Sequence, residues 1–284
     1  MVSFYKKYGC KPCSILLMVA VWLASCLTIL SLSFLLVYVL AQGLPYIDTN
    51  IFNIKYTTQN LSLIPALVNT ILMVVLALGL ATPLGIFAAI YLVEYAKDKN
   101  RVVNVVGVTA DTLAGIPSII YGLFGMLFFV SFLKMGFSLL AGSCTVGIMI
   151  LPLIIRTTEE ALRSVPISYR EGSYGLGAGK LRTIFVVVLP AAVPGILAGI
   201  ILSIGRIVGE SAALLYTAGT VAALPENIFS SVRTLAVHMY VLASEGLHME
   251  QAAATAVVLL VIVLFINQAA IRLAGKLIKG NQNG

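Results

Sequence analysis

The segment RTTEEALRSVPISYREGSYGLGAGKLR, residues 156–182, is the most polar stretch of a very apolar chain. It contains five basic and three acidic residues, and apolar segments long enough to cross a bilayer lie on both sides of it. A stretch of this length and charge cannot lie in hydrocarbon. We therefore expect this segment, called here the polar interruption, to face water or a partner protein.

The composition indicates a helical membrane protein. Of the 284 residues, 60% are hydrophobic and only 10% are charged, whereas soluble domains carry about 25% charged residues. The apolar runs are continuous rather than alternating, which excludes a transmembrane β-barrel. The net charge of +7 does not indicate nucleic-acid binding, because the basic residues lie beside the apolar runs, where the chain would meet membrane lipid.

The apolar runs divide the chain into six predicted transmembrane helices and two regions. The spans cover about residues 14–41, 63–93, 102–133, 137–155, 184–216 and 251–273. The first region, residues 1–62, would hold an N-terminal tail, the first span and an external loop. The second, residues 63–278, would be the main transmembrane domain. In it, Pro83 predicts a kink in the second span, and residues 115–117 interrupt the third.

The distribution of positive charge predicts the orientation. Six spans place both termini on one side, and that side receives fourteen of the 18 Lys and Arg residues, including all five of the polar interruption. Cytoplasmic loops carry the excess of basic residues in membrane proteins. Both termini and the polar interruption are therefore expected in the cytoplasm.

The glycines of the polar interruption do not form a nucleotide-binding loop. Gly175, Gly177 and Gly179 precede Lys180, but the phosphate-loop pattern needs a glycine in place of Tyr174 and a hydroxyl residue after the lysine. No strand is predicted before it. We expect no cofactor, and the two histidines are too isolated to indicate a metal site.

A different pattern fits across twenty residues. Glu171-Gly172-Ser173 is followed after three residues by Gly177, and after nine more by Val187-Val188-Leu189-Pro190. This arrangement resembles the EAA loop of ABC importer permeases, E-A-A, three residues, G, nine residues, I-x-L-P. The resemblance implies that Glu171, Gly172, Ser173, Gly177, Leu189 and Pro190 form a coupling element, seated in a groove of a separate ATPase. An ordinary amphipathic loop at the membrane interface is the alternative.

In that coupling element, small side chains on a short helix would permit close approach of a partner. Gly177 would allow the turn that redirects the chain. Glu171 could cap the start of the helix, or pair with a basic residue of the partner.

Two charges lie together in the fifth span. Arg206 and Glu210 are four residues apart, which would place them on one face of a helix. If that helix starts between Pro190 and Pro194, Arg206 lies about 18–24 Å along it, within a hydrocarbon core of about 30 Å. Such an arginine should face protein or a water-filled path.

The functional interpretation of this pair is an anion contact. A guanidinium group matches a tetrahedral oxyanion in bidentate fashion, and Glu210 would hold Arg206 in place. The alternative is a structural ion pair between helices. Asp111, in the third span, is a further candidate for the substrate path. It could pair with a basic residue of this or a partner chain, but its position favours capping or bracing a helix beside residues 115–117.

Four stretches outside the polar interruption resemble the phosphate-specific PstA-type permeases, namely residues 83–96, 113–124, 206–212 and 235–246. The similarity extends over about residues 63–278. It implies an all-α, six-helix type I ABC importer permease fold (MetI-like) in the cell inner membrane. In this family an arginine of the fifth span is implicated in phosphate passage, and Arg206 stands at the matching position.

The resemblance also implies partners. They are a second, PstC-like permease, a dimeric PstB-like ATPase and a PstS-like phosphate-binding protein, so that this chain would carry no catalysis itself. Two alternatives stay open. One is an ABC permease for another oxyanion or small solute, and the other is a secondary transporter or membrane-embedded enzyme without an ATPase. Association with an ATPase would separate the second alternative.

Overall fold

The computed structural model describes residues 12–54, 56–57, 60–96, 107, 109, 112–113, 115–246 and 248–282. Within these ranges the chain forms helices and turns, and no strand occurs. The predicted all-α fold is confirmed.

The α-helices of the described residues are numbered in chain order. They are α1 (Pro12–Gly43), α2 (Ile64–Ile90), α3 (Ser118–Gly125), α4 (Leu139–Ser164), α5 (Ile167–Gly175), α6 (Lys180–Thr183), α7 (Leu189–Val208), α8 (Ala212–Leu215), α9 (Leu235–Glu245) and α10 (Met249–Gln282). Short 3-10 helices at Leu44–Tyr46 and Thr49–Phe52 follow α1. Three π-helical segments, Tyr91–Tyr95, Met126–Phe132 and Ile184–Val188, extend α2 and α3 and join α6 to α7.

Five helical segments of the described chain are long and apolar enough to cross a bilayer. They are Leu16–Tyr46, Ile64–Tyr95, Leu139–Ser164, Lys180–Val208 and Met249–Ala269. The remaining predicted span is described mainly as a shorter apolar helix, Ser118–Phe132, that follows a break at residues 115–117. The count of six spans and the cytoplasmic position of the termini stay predictions.

Helix α4 lies at the centre of the bundle and packs against both α2 and α7. Small residues allow these helices to approach closely. A methyl group added at Gly199 of α7 would lie 2.6 Å from Cβ of Thr157 in α4, and one at Gly85 of α2 would lie 2.6 Å from a methyl of Ile154. Helix association in a membrane depends on such close packing, because lipid is as apolar as the side chains.

The end of α4 differs from the sequence prediction. The fourth span was expected to stop near residue 155, but α4 continues to Ser164. Glu159 is buried in this extension, and it forms ion pairs with Arg156 (3.2 Å) and Arg163 (2.9 Å) of the same helix. The expectation that the whole polar interruption faces water or a partner is therefore wrong for Glu159, because local ion pairs allow its burial.

The fifth span begins close to its predicted start near residue 184, within one continuous helical segment that runs from Lys180 to Val208 through Pro190 and Pro194. Helix α7 itself begins at Leu189, beside Pro190. The π-helical turn Ile184–Val188 lies directly before Pro190. A wider turn accommodates a proline ring that would otherwise clash with the carbonyl four residues earlier.

A polar cluster lies around the start of α9. Arg233 is buried, its Nε donates to the carbonyl oxygen of Thr220 (2.8 Å), and its Nη1 lies 3.3 Å from Nδ1 of His238. Because arginine can only donate, the His238 Nδ1 accepts and the imidazole is neutral. Burial, reinforced by the Arg233 charge, lowers the pKa of His238 to about 4.

This buried imidazole predicts a pH-dependent stability. Between pH 6.5, the ordinary pKa of histidine, and about 4, the unfolded chain carries a proton at His238 that the folded chain lacks. The free energy of unfolding should therefore fall as the pH is lowered through this window. Unfolding of the detergent-purified chain at pH 7 and pH 4.5 measures the loss, and it should be smaller in His238→Asn. Equal losses in the two proteins would contradict the assignment.

The contact between α4 and α7 predicts a matched pair of variants. Gly199→Ala should lower the free energy of unfolding by about 1–3 kcal/mol, because the new methyl overlaps Thr157. Gly205→Ala, in the same helix, has no neighbouring atom within 4 Å and should cause no loss. Thermal unfolding in detergent compares them. Equal stability of the two variants would show that α4 and α7 pack less closely than described.

Candidate functional site

The helix α5 occupies the centre of the polar interruption. It begins after Pro166, and Leu176 follows its last residue. Gly177 then takes a left-handed conformation with φ of +81°, which turns the chain toward α6. The predicted short helix and turn are thus present. Glu171 lies in the middle of α5 and is exposed, so the expected capping of the helix start does not occur.

Several large apolar side chains of α5, of α6 and of the turn between them are exposed. They are Ile167, Tyr169, Tyr174, Leu176 and Leu181. Ile167 is 70% exposed and Leu176 is 91% exposed. This set is called the docking face. Large apolar side chains exposed in an otherwise polar segment make it a candidate for a protein contact surface.

One arginine fastens α5 to the bundle. The Nε and Nη2 atoms of Arg170 donate to Oε1 of Glu94 at 3.0 and 2.7 Å. Nη1 donates to the carbonyl oxygen of Val165 and Nη2 to that of Leu162, both at 3.0 Å. The side chain of Arg170 is only 16% exposed, and that of Glu94 is only 6% exposed. Removing one partner of a buried ion pair costs about 3–5 kcal/mol.

Two weaker contacts support the same arrangement. The hydroxyl groups of Ser173 and Thr183 lie 2.8 Å apart, which ties α5 to α6. The Lys180 ammonium lies 4.5 Å from the centre of the Tyr95 ring, within the range of a cation–π contact. The docking face is thereby held against the end of α2 and the start of the long helical segment Lys180–Val208.

The other predicted coupling residues divide into two groups. Gly172 is exposed and has no atom near its missing Cβ, so that side of α5 is open. Leu189 and Pro190 lie within the long helix instead, and Leu189 packs against a buried apolar cluster that includes Leu162 and Val188. These two residues position the helix rather than forming part of the docking face.

The charged residues of the predicted substrate path are not joined as expected. Helix α7 ends at Val208, so Arg206 and Glu210 do not share a helical face. The Glu210 carboxylate is buried, and its Oε1 accepts from the backbone N–H of Ala213 (3.0 Å). No described residue forms a hydrogen bond or ion pair with the Arg206 side chain. Asp111 lies outside the described residues.

The position of Arg206 along its helix also changes. It lies 26 residues beyond Lys180 in one helical segment, or about 39 Å at 1.5 Å per residue. That places it near the end of the bundle opposite α5, rather than halfway across a core of about 30 Å. Arg206 is partly exposed.

The pair formed by Arg170 and Glu94 was not predicted. The two residues are 76 positions apart, and nothing in their spacing indicates a contact. The one available signal is that Glu94 directly follows an apolar run, which favours a partner for its charge.

The family sequence profile described as "Binding-protein-dependent transport system inner membrane component" matches residues 81–278. The chain belongs to this family. It is therefore a membrane-embedded permease of the ABC importer class, which excludes an ATPase-independent transporter. The location in the inner membrane and the resemblance to PstA-type permeases are confirmed.

Curated relatives include proteins with and without a named solute. The "Phosphate transport system permease protein PstA" of Xylella fastidiosa is 36% identical over 236 residues, covering 81% of this chain and 82% of that protein. "Probable ABC transporter permease protein YqgI" of Bacillus subtilis is 34% identical, over 72% and 74%. The PstA 1 protein of Mycobacterium tuberculosis H37Rv is 41% identical over 58% of this chain, which spans only 53% of that relative.

Solved structures support the architecture. A chain of the crystal structure of a bacterial alginate ABC transporter aligns with a TM-score of 0.66 at 19% identity, over 91% of this chain and 95% of that one. An inward-facing structure of the MetNI methionine ABC transporter aligns with a TM-score of 0.58 at 19% identity, over 74% and 91%. At this identity the comparison shows the fold alone. It is the MetI-like permease fold.

The turn after α5 predicts a test that needs no partner. Gly177→Ala forces a methyl-bearing residue into the left-handed region, at a cost of about 1–2 kcal/mol. Local opening should then increase about 5–30-fold, and trypsin cleavage at Lys180 and Arg182 should accelerate accordingly. Gly175→Ala is the control, because both glycines have open space around them and only Gly177 has a positive φ. Equal cleavage of the two variants would show that the turn is not strained by a side chain.

Proposed function

We propose that this chain is the membrane-spanning permease subunit of an ATP-driven importer of inorganic phosphate, forming half of the translocation path. The ABC importer permease class rests on the family match. The phosphate assignment is supported by the relatives named PstA and by the state of Arg206. A relative without a named solute is similarly close, so the substrate assignment rests chiefly on that residue.

The observation that carries the proposal is a guanidinium group without a carboxylate partner. Glu210 directs its carboxylate to the N–H of Ala213, and no described residue pairs with Arg206. The donors of Arg206 are therefore not occupied by the neighbour that could neutralise them. A planar fork of N–H donors suits two oxygens of a phosphate anion. Glu210, close in sequence, would repel anions that pass without engaging the arginine.

The position of Arg206 suggests when it acts. If α5 faces the cytoplasm, as the charge distribution predicts, Arg206 lies toward the external end of the long helix. It would then contact phosphate as the anion enters the path. We assign Asp111 to the same path on its sequence position, as a residue that would brace a helix or pair with a basic group.

The docking face is proposed to bind a separate, dimeric ATPase of the PstB type. Glu171, Gly172, Ser173 and Gly177 would lie at or behind this contact, while Leu189 and Pro190 would position the adjoining helix. A PstC-like permease would complete the path, and a PstS-like protein would deliver phosphate. Residues 63–278 would form the permease domain. Residues 1–62 would be peripheral to it, in agreement with the exposure of α1 over residues 16–38.

Arg206→Gln tests the substrate role. The variant should import phosphate about 10–100-fold more slowly at low external concentration, because a charged hydrogen bond worth about 1.5–3 kcal/mol is lost. Arg206→Lys should be intermediate, since it keeps the charge without the fork. Radiolabelled phosphate uptake measures both, with sulfate as a competing oxyanion.

Arg163→Gln is the matched control, because it removes an exposed arginine at the surface. Copurification of the ATPase with each variant checks assembly. Normal uptake by a normally assembled Arg206→Gln complex would overturn the role of Arg206. If sulfate lowered the uptake of labelled phosphate as strongly as unlabelled phosphate does, the protein would be a less selective oxyanion importer.

A further inference from the structure

We infer that Arg170 and Glu94 act as positioning residues that make α5 and the end of the second span one rigid unit. Through this pair, a displacement of the docking face would move α2 directly. The inference rests on the proposed function in one respect, namely that an ATPase displaces α5. The rigid unit itself is a property of this chain alone.

The bonding pattern of Arg170 reaches three parts of the chain. Its donors contact the Glu94 carboxylate at the end of the segment Ile64–Tyr95, the Leu162 carbonyl in the last turn of α4, and the Val165 carbonyl in the following turn. One guanidinium group thus joins α2, α4 and α5. A lysine could not reproduce this geometry, because it presents a single point of charge rather than a planar fork.

Apolar packing contributes little to this connection, because no apolar side chain of α5 is buried. A helix without a buried apolar face gains little hydrophobic stabilisation. Its attachment therefore depends chiefly on polar contacts. The contact of Ser173 with Thr183 links α5 to α6, and the ion pair of Arg170 with Glu94 links it directly to the end of the second span. The contact of Lys180 with the Tyr95 ring adds a weaker link through α6. The second span should therefore follow α5 less closely when the ion pair is lost.

The second span contains a bending point that suits this role. Pro83 lies inside α2, where it removes one backbone hydrogen bond. It is about three helical turns from Glu94. A change of angle at Pro83 would let the segment between Pro83 and Tyr95 shift with α5 relative to the first part of α2. Gly85 and Ala89 of this segment pack against α4, so the end of α4 would shift with it.

The first experiment measures the rigid unit in the full-length chain purified alone. Spin labels are placed at Ser168 and Leu84, both exposed, after the four native cysteines are replaced by serine. The parent chain should give one narrow distance distribution. Glu94→Gln, which keeps the shape and removes the charge, should broaden it. Arg163→Gln should leave it narrow, since its pair with Glu159 lies within α4. An unchanged distribution in Glu94→Gln would overturn the inference.

The second experiment measures coupling in the complex with its ATPase in proteoliposomes. Glu94→Gln and Arg170→Lys should copurify with the ATPase as the parent does and hydrolyse ATP at no less than half its rate. The number of phosphate ions imported per ATP should fall at least 10-fold. Arg163→Gln should keep the parent ratio. If the Arg170–Glu94 pair served only to keep the protein folded, its removal would lower complex assembly, ATP hydrolysis and phosphate import together.

The outcomes separate the two proposals. Loss of ATPase binding in Glu94→Gln, or an unchanged ratio of import to hydrolysis, would overturn the transmitting role. If the parent complex imports no phosphate, the proposed substrate fails. The label distance between Ser168 and Leu84, with MgATP and without nucleotide, then decides the inference by itself. It should stay constant in the parent complex and change in Glu94→Gln, and a change in the parent complex would overturn it.

Discussion

A charge removed from water must be compensated, and this constraint organises the polar part of the bundle. Three carboxylates shielded from water are compensated in three different ways. Glu94 binds Arg170, Glu159 lies between Arg156 and Arg163, and Glu210 accepts from the N–H of Ala213. The bond of Glu94 joins separate elements, the ion pairs of Glu159 lengthen α4, and the bond of Glu210 starts α8. No described residue forms an ion pair or hydrogen bond with Arg206, whereas buried Arg233 is held by the Thr220 carbonyl and His238. Arg206 is therefore the candidate for contact with an external anion.

The apolar pattern was sufficient to predict the fold class and the position of most spans. It failed at helix ends, for physical reasons. Glu159 predicts a loop by its charge, yet ion pairs at helical spacing keep it within α4. Pro190 does lie at the start of α7, but a π-helical turn joins α7 to the preceding helix, so the helical segment continues through the proline. In both cases a local contact or backbone turn, which composition does not reveal, overrides the tendency of the residue to end or start a helix.

The candidate site was predictable where it depends on local conformation. The resemblance to the EAA loop implied a short helix followed by a turn at Gly177, and the positive φ of Gly177 agrees with it. The contact of Arg170 with Glu94 depends on tertiary packing of segments 76 residues apart. A single sequence contains no spacing that reports such a contact. The expected pairing of Arg206 with Glu210 is the opposite case, a contact predicted from spacing that does not form. Four-residue spacing predicts a contact only where the helix continues.

The continuity of the helix Lys180–Val208 links the two functional regions mechanically. It begins beside the docking face, at the turn after Gly177, and it ends two residues beyond Arg206. No loop interrupts it, so a tilt imposed at Lys180 reaches Arg206 through hydrogen-bonded helix alone. Its softest region is the π-helical turn with the two prolines, which lies nearer α5. The stiffer part beyond Pro194 would therefore move as a unit and change what surrounds Arg206. The proposed coupling and selectivity regions are separate in sequence, but one helix would make the second depend on the first.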